Sequence, residues 1–155
     1  MKTLWIVVAN RGFAKIYESK GHGHDIKEIY SVDNPDGRKK SGEILADKPG
    51  RAFDSLGGGR HALSTEVSVT AHEQQVFAKK LVGVLEEGNG AKAFDELAIV
   101  APPHFLGALK LHLNQAIAKK VIKEVGKDLP EYISDHERIE QICKYLDLWN
   151  HEKIS

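Results

Sequence analysis

At 155 residues, 41% of them hydrophobic and 28% charged, the chain has the size and composition of one soluble domain that can bury a core. Lysine plus arginine and aspartate plus glutamate both number 22. This balance argues against a protein that coats nucleic acid non-specifically, and leaves room for a local basic patch. The lone Cys143 excludes an intrachain disulfide and a thiolate zinc cluster; in the apolar run IEQICKYLDLW it reads as a core residue.

The opening MKTLWIVVANRG lacks the cleavage site of a secretory leader, and no apolar run approaches the roughly 20 residues that span a membrane. The expectation is cytoplasmic residence without membrane insertion. TLWIVVA (3–9) is rich in β-branched and aromatic residues and reads as a buried strand. Asn10-Arg11-Gly12 follows as a tight turn, FAKIYES (13–19) alternates as a second strand, and IKEIYSV (26–32) forms a third. Short links between the three imply an antiparallel meander.

Residues 34–66 show no sustained period and hold Pro35, Pro49 and six glycines, so a flexible glycine-rich loop is expected there. Within it EILAD (43–47) reads as a short helical or strand-like piece. Thr70 and Glu73 spell a capping box, with Val76, Phe77, Leu81, Val84 and Leu85 recurring at helical spacing until Gly88-Asn89-Gly90. ELAIVA (96–101) reads as a central strand covered on both faces. Pro102-Pro103 opens a helix with apolar positions Phe105, Leu106, Leu109, Leu113 and Ile117. VIKEV (121–125) is assigned as a fifth strand with Val121, Lys123 and Val125 on one face. Residues 134–149 form a last helix capped by Ser134 and Glu137. The fold class is therefore α/β: a single domain over 1–155, a five-stranded mixed sheet in the order β-β-β-α-β-α-β-α, with helices packed on it. Phe77, Leu81, Ile99 and Leu109 are expected in its core.

Few patterns carry chemistry. GGGRHALS (57–64) lacks the Gly-Lys-Ser/Thr of a phosphate-binding loop, and its spacing fails the dinucleotide fingerprint, so no cofactor is expected. His22 and His24 lie two apart in a glycine turn without a third ligand nearby, and no metal site is expected. No nucleophile elbow or cysteine dyad is present. Asn10, His72, Pro103 and His104 lie near element ends and are the candidate pocket residues, and Asp128 near a strand end reads as a helix-capping or loop residue, with a polar anchor as the alternative. Lys48, Arg51 and Arg60 make the glycine-rich segment locally basic, which suits RNA or another phosphate-rich partner, as well as a plain solvated face.

IVVANRGFAKIYE, HEQQVFAKKL, LAIVAPPHFLGALK and the late KDL together resemble the bacterial family of proteins required for attachment to host cells, over essentially the whole chain. APPHFLGAL is the most specific block. That family in turn looks like the middle domain of archaeal and eukaryotic peptide-chain release factors and of related ribosome-rescue proteins. Those domains carry Gly-Gly-Gln followed by Ser-Ala-Leu on a loop before the first long helix. Here the matching residues are Gly58, Gly59 and Arg60, followed by His61, Ala62 and Leu63. Arginine has donors but no acceptor, so it does not copy the amide that positions water at the peptidyl-tRNA ester. The resemblance thus implies a non-catalytic module without peptide release, contacting the ribosome, tRNA or rRNA through Lys48, Arg51, Gly58, Gly59, Arg60 and His61. Two other readings stand beside it: a hydrolase using His61 or His104, and a module that influences adhesion through a protein partner. The family's name describes a phenotype of cells, which an intracellular protein can influence indirectly.

Overall fold

The computed structural model describes residues 2–21, 24–38 and 59–146, with side-chain surroundings in the long helix from residue 70 onward. Strands β1 (Thr3–Asn10), β2 (Phe13–Lys20) and β3 (His24–Asp33) form the expected meander, followed by a four-residue helix α1 (Pro35–Arg38). The long helix α2 (Gly59–Gly90) leads to β4 (Glu96–Val100), α3 (Pro103–His112), α4 (Gln115–Ala118), β5 (Val121–Val125) and α5 (Asp135–Leu146).

The sheet order is β3-β2-β1-β4-β5. β2 pairs antiparallel with β1 and β3, whereas β1–β4 and β4–β5 are parallel. β1 is thus interior to the sheet, which explains its unbroken apolar run: both of its faces need cover. Trp5, Val7 and Ala9 face one core, shared with Phe77, Leu81 and Leu85 of α2 and Phe105 and Leu109 of α3. Leu4, Ile6 and Val8 face the other, against Leu129 and the α5 residues Ile142, Cys143 and Leu146. Three layers result, with the sheet between α2–α3–α4 and α5. The four expected core residues Phe77, Leu81, Ile99 and Leu109 are all buried, and Cys143 is a buried free thiol.

Four local expectations are corrected. Helix α2 begins at Gly59, so Thr70 lies inside it rather than capping it. No proline and only Gly83 interrupt the sequence from 60 to 87, and a potential cap does not stop a helix that can continue on both sides. Both ends of the segment expected as a loop, 34–66, are consequently helical; EILAD lies outside the described residues. Val76, placed on the apolar stripe, is instead 49% exposed. The helix expected from Pro103 to Ile117 breaks at Leu113, which is extended, and restarts as α4 where Asn114 accepts a hydrogen bond from the Ile117 N–H at 2.9 Å. In β5 a register irregularity falls between the pairs Leu97–Val121 and Ala98–Lys123. The extra residue turns the strand over, so Val121 packs against the α2 side and Val125 against the α5 side, not on one face.

Candidate functional site

A cleft of about 500 Å³ opens where the parallel strands β1 and β4 end. Its walls are Asn10 to Phe13 from the β1–β2 turn, Gly37 of α1, Gln74 of α2, Pro102, His104 and Phe105 at the start of α3, and Asp128 and Glu131 after β5. The carboxyl ends of parallel strands in open α/β sheets are where ligands bind, because diverging connections leave a crevice there. The volume lies within the range that takes a small organic ligand.

The turn that forms the floor is held on both sides. The Asn10 side-chain oxygen accepts hydrogen bonds from the N–H groups of Gly12 (2.7 Å) and Phe13 (3.2 Å), and its amide donates to Asp128 at 2.9 Å. One asparagine thus shapes the turn and ties it to the segment after β5. From the other side, Asn34 donates through its side chain to the Arg11 carbonyl (2.8 Å) and to Glu73 (3.2 Å), and through its backbone to the Gly12 carbonyl (2.9 Å). A side chain at Gly37 would overlap the Arg11 carbonyl oxygen, so only glycine lets α1 close on the turn. Arg11 itself extends from this fixed backbone and is exposed.

The opposite wall is the first turn of α3. Pro102 and Pro103 have no N–H to offer, and the first N–H groups of a helix lack partners within it, so His104 and Phe105 present backbone donors at the positive end of the helix dipole. Phe105 packs its ring against Phe77 at 5.7 Å and anchors this end in the core, while His104 is exposed. Cationic and N–H groups (Arg11, His104, the α3 start, the Gln74 amide) and carboxylate acceptors (Asp128, Glu131) therefore line one cleft.

The lip after β5 has its own anchor. Arg138 is only 1% exposed, yet charged. Its Nη2 donates to the carbonyls of Pro130 (3.2 Å), Glu131 (3.0 Å) and Ile133 (3.2 Å), and its Nη1 to Asp135 (2.8 Å) and the Tyr17 hydroxyl (3.4 Å). Its guanidinium lies 5.6 Å from the centre of the Phe13 ring. A buried cation is tolerated only with such pairing. Burial pushes the Tyr17 phenol above its ordinary value, against the opposing effect of Arg138.

Of the sequence-derived candidates, Asn10 and His104 line this cleft, as does the anchor Asp128. Pro103 sits beside lining residue Pro102, and His72 is exposed on α2 outside the lining. Lys48, Arg51 and Gly58 lie outside the described residues. Gly59, Arg60 and His61 form the first turn of α2, about four helical turns before Gln74. Arg11, Gln74 and Glu131 were not singled out in the sequence. Arg11 had a usable signal, since it follows directly on the most apolar strand, but Gln74 and Glu131 had none. Among the described residues, no three His, Cys, Asp or Glu side chains converge as a metal site requires, and no helix is long and apolar enough to cross a membrane.

No curated protein matches the chain. Among solved structures, a proposed sugar kinase from Cytophaga hutchinsonii aligns with 11% identity and a TM-score of 0.35, over 81% of this chain and 52% of that one. The chain spans about half of that protein's length, and a likeness so low bears on neither fold nor function. The model of the family "Protein required for attachment to host cells" matches residues 5–142, which takes in both halves of the sheet and every segment that lines the cleft. The chain belongs to this host-attachment family.

Proposed function

We propose that the chain is a non-catalytic, cytoplasmic RNA-contacting module, in which the strand-end cleft takes one nucleotide unit and the basic segment carrying Lys48, Arg51 and Arg60 meets the backbone beyond it. The observation that carries this reading is the mixed lining of the cleft. Arg11, His104 and the start of α3 suit a phosphate, and Asp128 and Glu131 suit the hydroxyl and amino donors of a ribose and base. A ligand that carries both an anionic group and hydrogen-bond donors fits such a lining. The relation to release-factor middle domains belongs to this proposal. It rests on the order of strands and helices and on a glycine-rich stretch ahead of the long helix. The partner is then a structured RNA of the translation machinery, tRNA or rRNA.

Labelled RNA and purified ribosomes, titrated at several salt concentrations, test it. A contact with about three phosphates gives a slope of log affinity against log salt of roughly −2. The pairs Arg11→Ala/His104→Ala and Arg51→Ala/Arg60→Ala should each weaken binding, and the first should leave the melting temperature unchanged, because the exposed side chains of Arg11 and His104 carry little stability. If neither ligand binds at low salt, or both double variants bind like the parent, the RNA reading gives way to a protein partner in adhesion.

A further inference from the structure

Between β5 and α5 the chain reverses through residues 126–134, and at its turn stands Tyr132, 88% exposed. An aromatic ring left almost wholly in water contributes nothing to the core. The backbone on either side of it is nevertheless held. Arg138 grips the carbonyls of Pro130 and Glu131 before it and of Ile133 after it. Leu129 is buried at the head of the same segment, and Ser134 caps α5 at its tail by accepting the Glu137 N–H at 3.1 Å.

The clasp is costly to build. It takes an arginine out of water and leaves that arginine's Nε buried without a hydrogen-bond partner. A chain reversal on its own requires neither. What the clasp does achieve is to fix the backbone on both sides of one exposed ring, beside Glu131, which lines the cleft. The guanidinium also rests near Phe13, another lining residue, so the same side chain ties the lip to the floor.

We infer that Tyr132 is a stacking platform for the flat ring of the nucleotide proposed for the cleft, and that Arg138 is the positioning residue that holds it there. The inference rests on the RNA reading above. A ring on a pre-ordered backbone loses little freedom when a base stacks on it, which turns contact area into affinity. Such stacking is indifferent to base identity.

The test uses the full chain with three probes: a short labelled oligoadenylate, adenosine 5′-monophosphate and ribose 5-phosphate. Tyr132→Ala should weaken oligoadenylate binding by about 5- to 150-fold, the range that one stacked base supplies. Tyr132→Phe should bind like the parent, because it keeps the ring. Affinity for ribose 5-phosphate should be unchanged in Tyr132→Ala, whereas Arg138→Lys, whose one nitrogen cannot hold the three carbonyls together with Asp135 and the Tyr17 hydroxyl, is read by the ratio of the two small ligands. Both should lose the advantage that the base gives adenosine 5′-monophosphate. If Arg138→Lys lowers the melting temperature too far to be read, the Tyr132 pair decides alone. Parent-like binding by Tyr132→Ala, or a Tyr132→Phe variant as weak as Tyr132→Ala, overturns the stacking role and leaves the RNA reading standing. Failure of the parent to bind oligoadenylate at low salt removes both.

Discussion

Single residues show how closely this fold is specified. Gly88 and Gly83 both lie in α2, where alanine is the better helix former by about 1 kcal/mol. A Cβ at Gly88 would come within 2.5 Å of the Trp5 ring, which itself packs tilted against Phe94 at 4.7 Å, whereas a Cβ at Gly83 meets nothing within 4 Å. Gly88→Ala is therefore expected to destabilise, since overpacking costs about 1–3 kcal/mol and outweighs the gain in propensity. Gly83→Ala should raise stability, by up to about 1 kcal/mol. Chemical denaturation of the two variants checks the opposite signs. Titration offers a second test. Burial raises the Tyr17 phenol above 10.0. At Lys15 burial pulls the ammonium down, but the hydrogen bond and charge of Glu28, with Tyr17 and Asp135, outweigh it and hold the group above 10.5. Both groups keep their proton more tightly folded than unfolded. Their contribution is therefore complete below the unfolded values and is lost as pH rises through the folded ones. The melting temperature should fall above pH 10.0, and less steeply in Tyr17→Phe, which has no proton to lose there.

At the scale of elements, what the sequence made legible was set by periodicity, and what it hid was set by tertiary contacts. The meander, β4 and the Ser134 cap of α5 follow from alternation, apolar runs and cap chemistry that act locally. The bulge in β5 does not, because the sequence VIKEV alternates equally well with or without an extra residue, and only pairing with β4 decides. The end of α2 shows a third case. The Ala93 N–H reaches the Gly88 carbonyl at 2.9 Å and the Lys92 N–H the Asn89 carbonyl at 3.0 Å, a Schellman closure. Its left-handed position falls on Lys92, with φ of 57°, and not on either nearby glycine. A β-carbon in that conformation costs about 1–2 kcal/mol, part of which the greater unfolded freedom of glycine takes back. Lys92→Gly should accordingly stabilise the protein, with a higher denaturation midpoint at an unchanged slope. No change would mean that the helix ends elsewhere.

For the molecule as a whole, the cleft draws on five separate stretches of chain, which is why composition and motif could reach only part of it. Asn10, His104 and Asp128 were legible as polar residues beside strand ends. Gln74 and Glu131 look like any surface residue until the fold brings α2 and the lip after β5 to the same place. Arg60, in the first turn of α2, is 14 residues before Gln74, which along a continuous helix is about 21 Å. If the cleft holds one nucleotide and Arg60 meets the same strand, the bound RNA has to bridge that distance, about six nucleotides at the rise of roughly 3.4 Å per nucleotide of a stacked strand. Length dependence should then sort the two groups. Arg11→Ala and His104→Ala should weaken a mononucleotide and a long oligomer by similar factors. Arg60→Ala should leave the mononucleotide and shorter oligomers unaffected, weaken only those longer than about six nucleotides, and flatten their salt slope by about one phosphate's share. Equilibrium titration across a ladder of oligoadenylates reads both effects. An Arg60→Ala defect that is already full for a dinucleotide would place Arg60 and the cleft at one locus and contradict the straight helix. A defect absent at every length would confine recognition to the cleft.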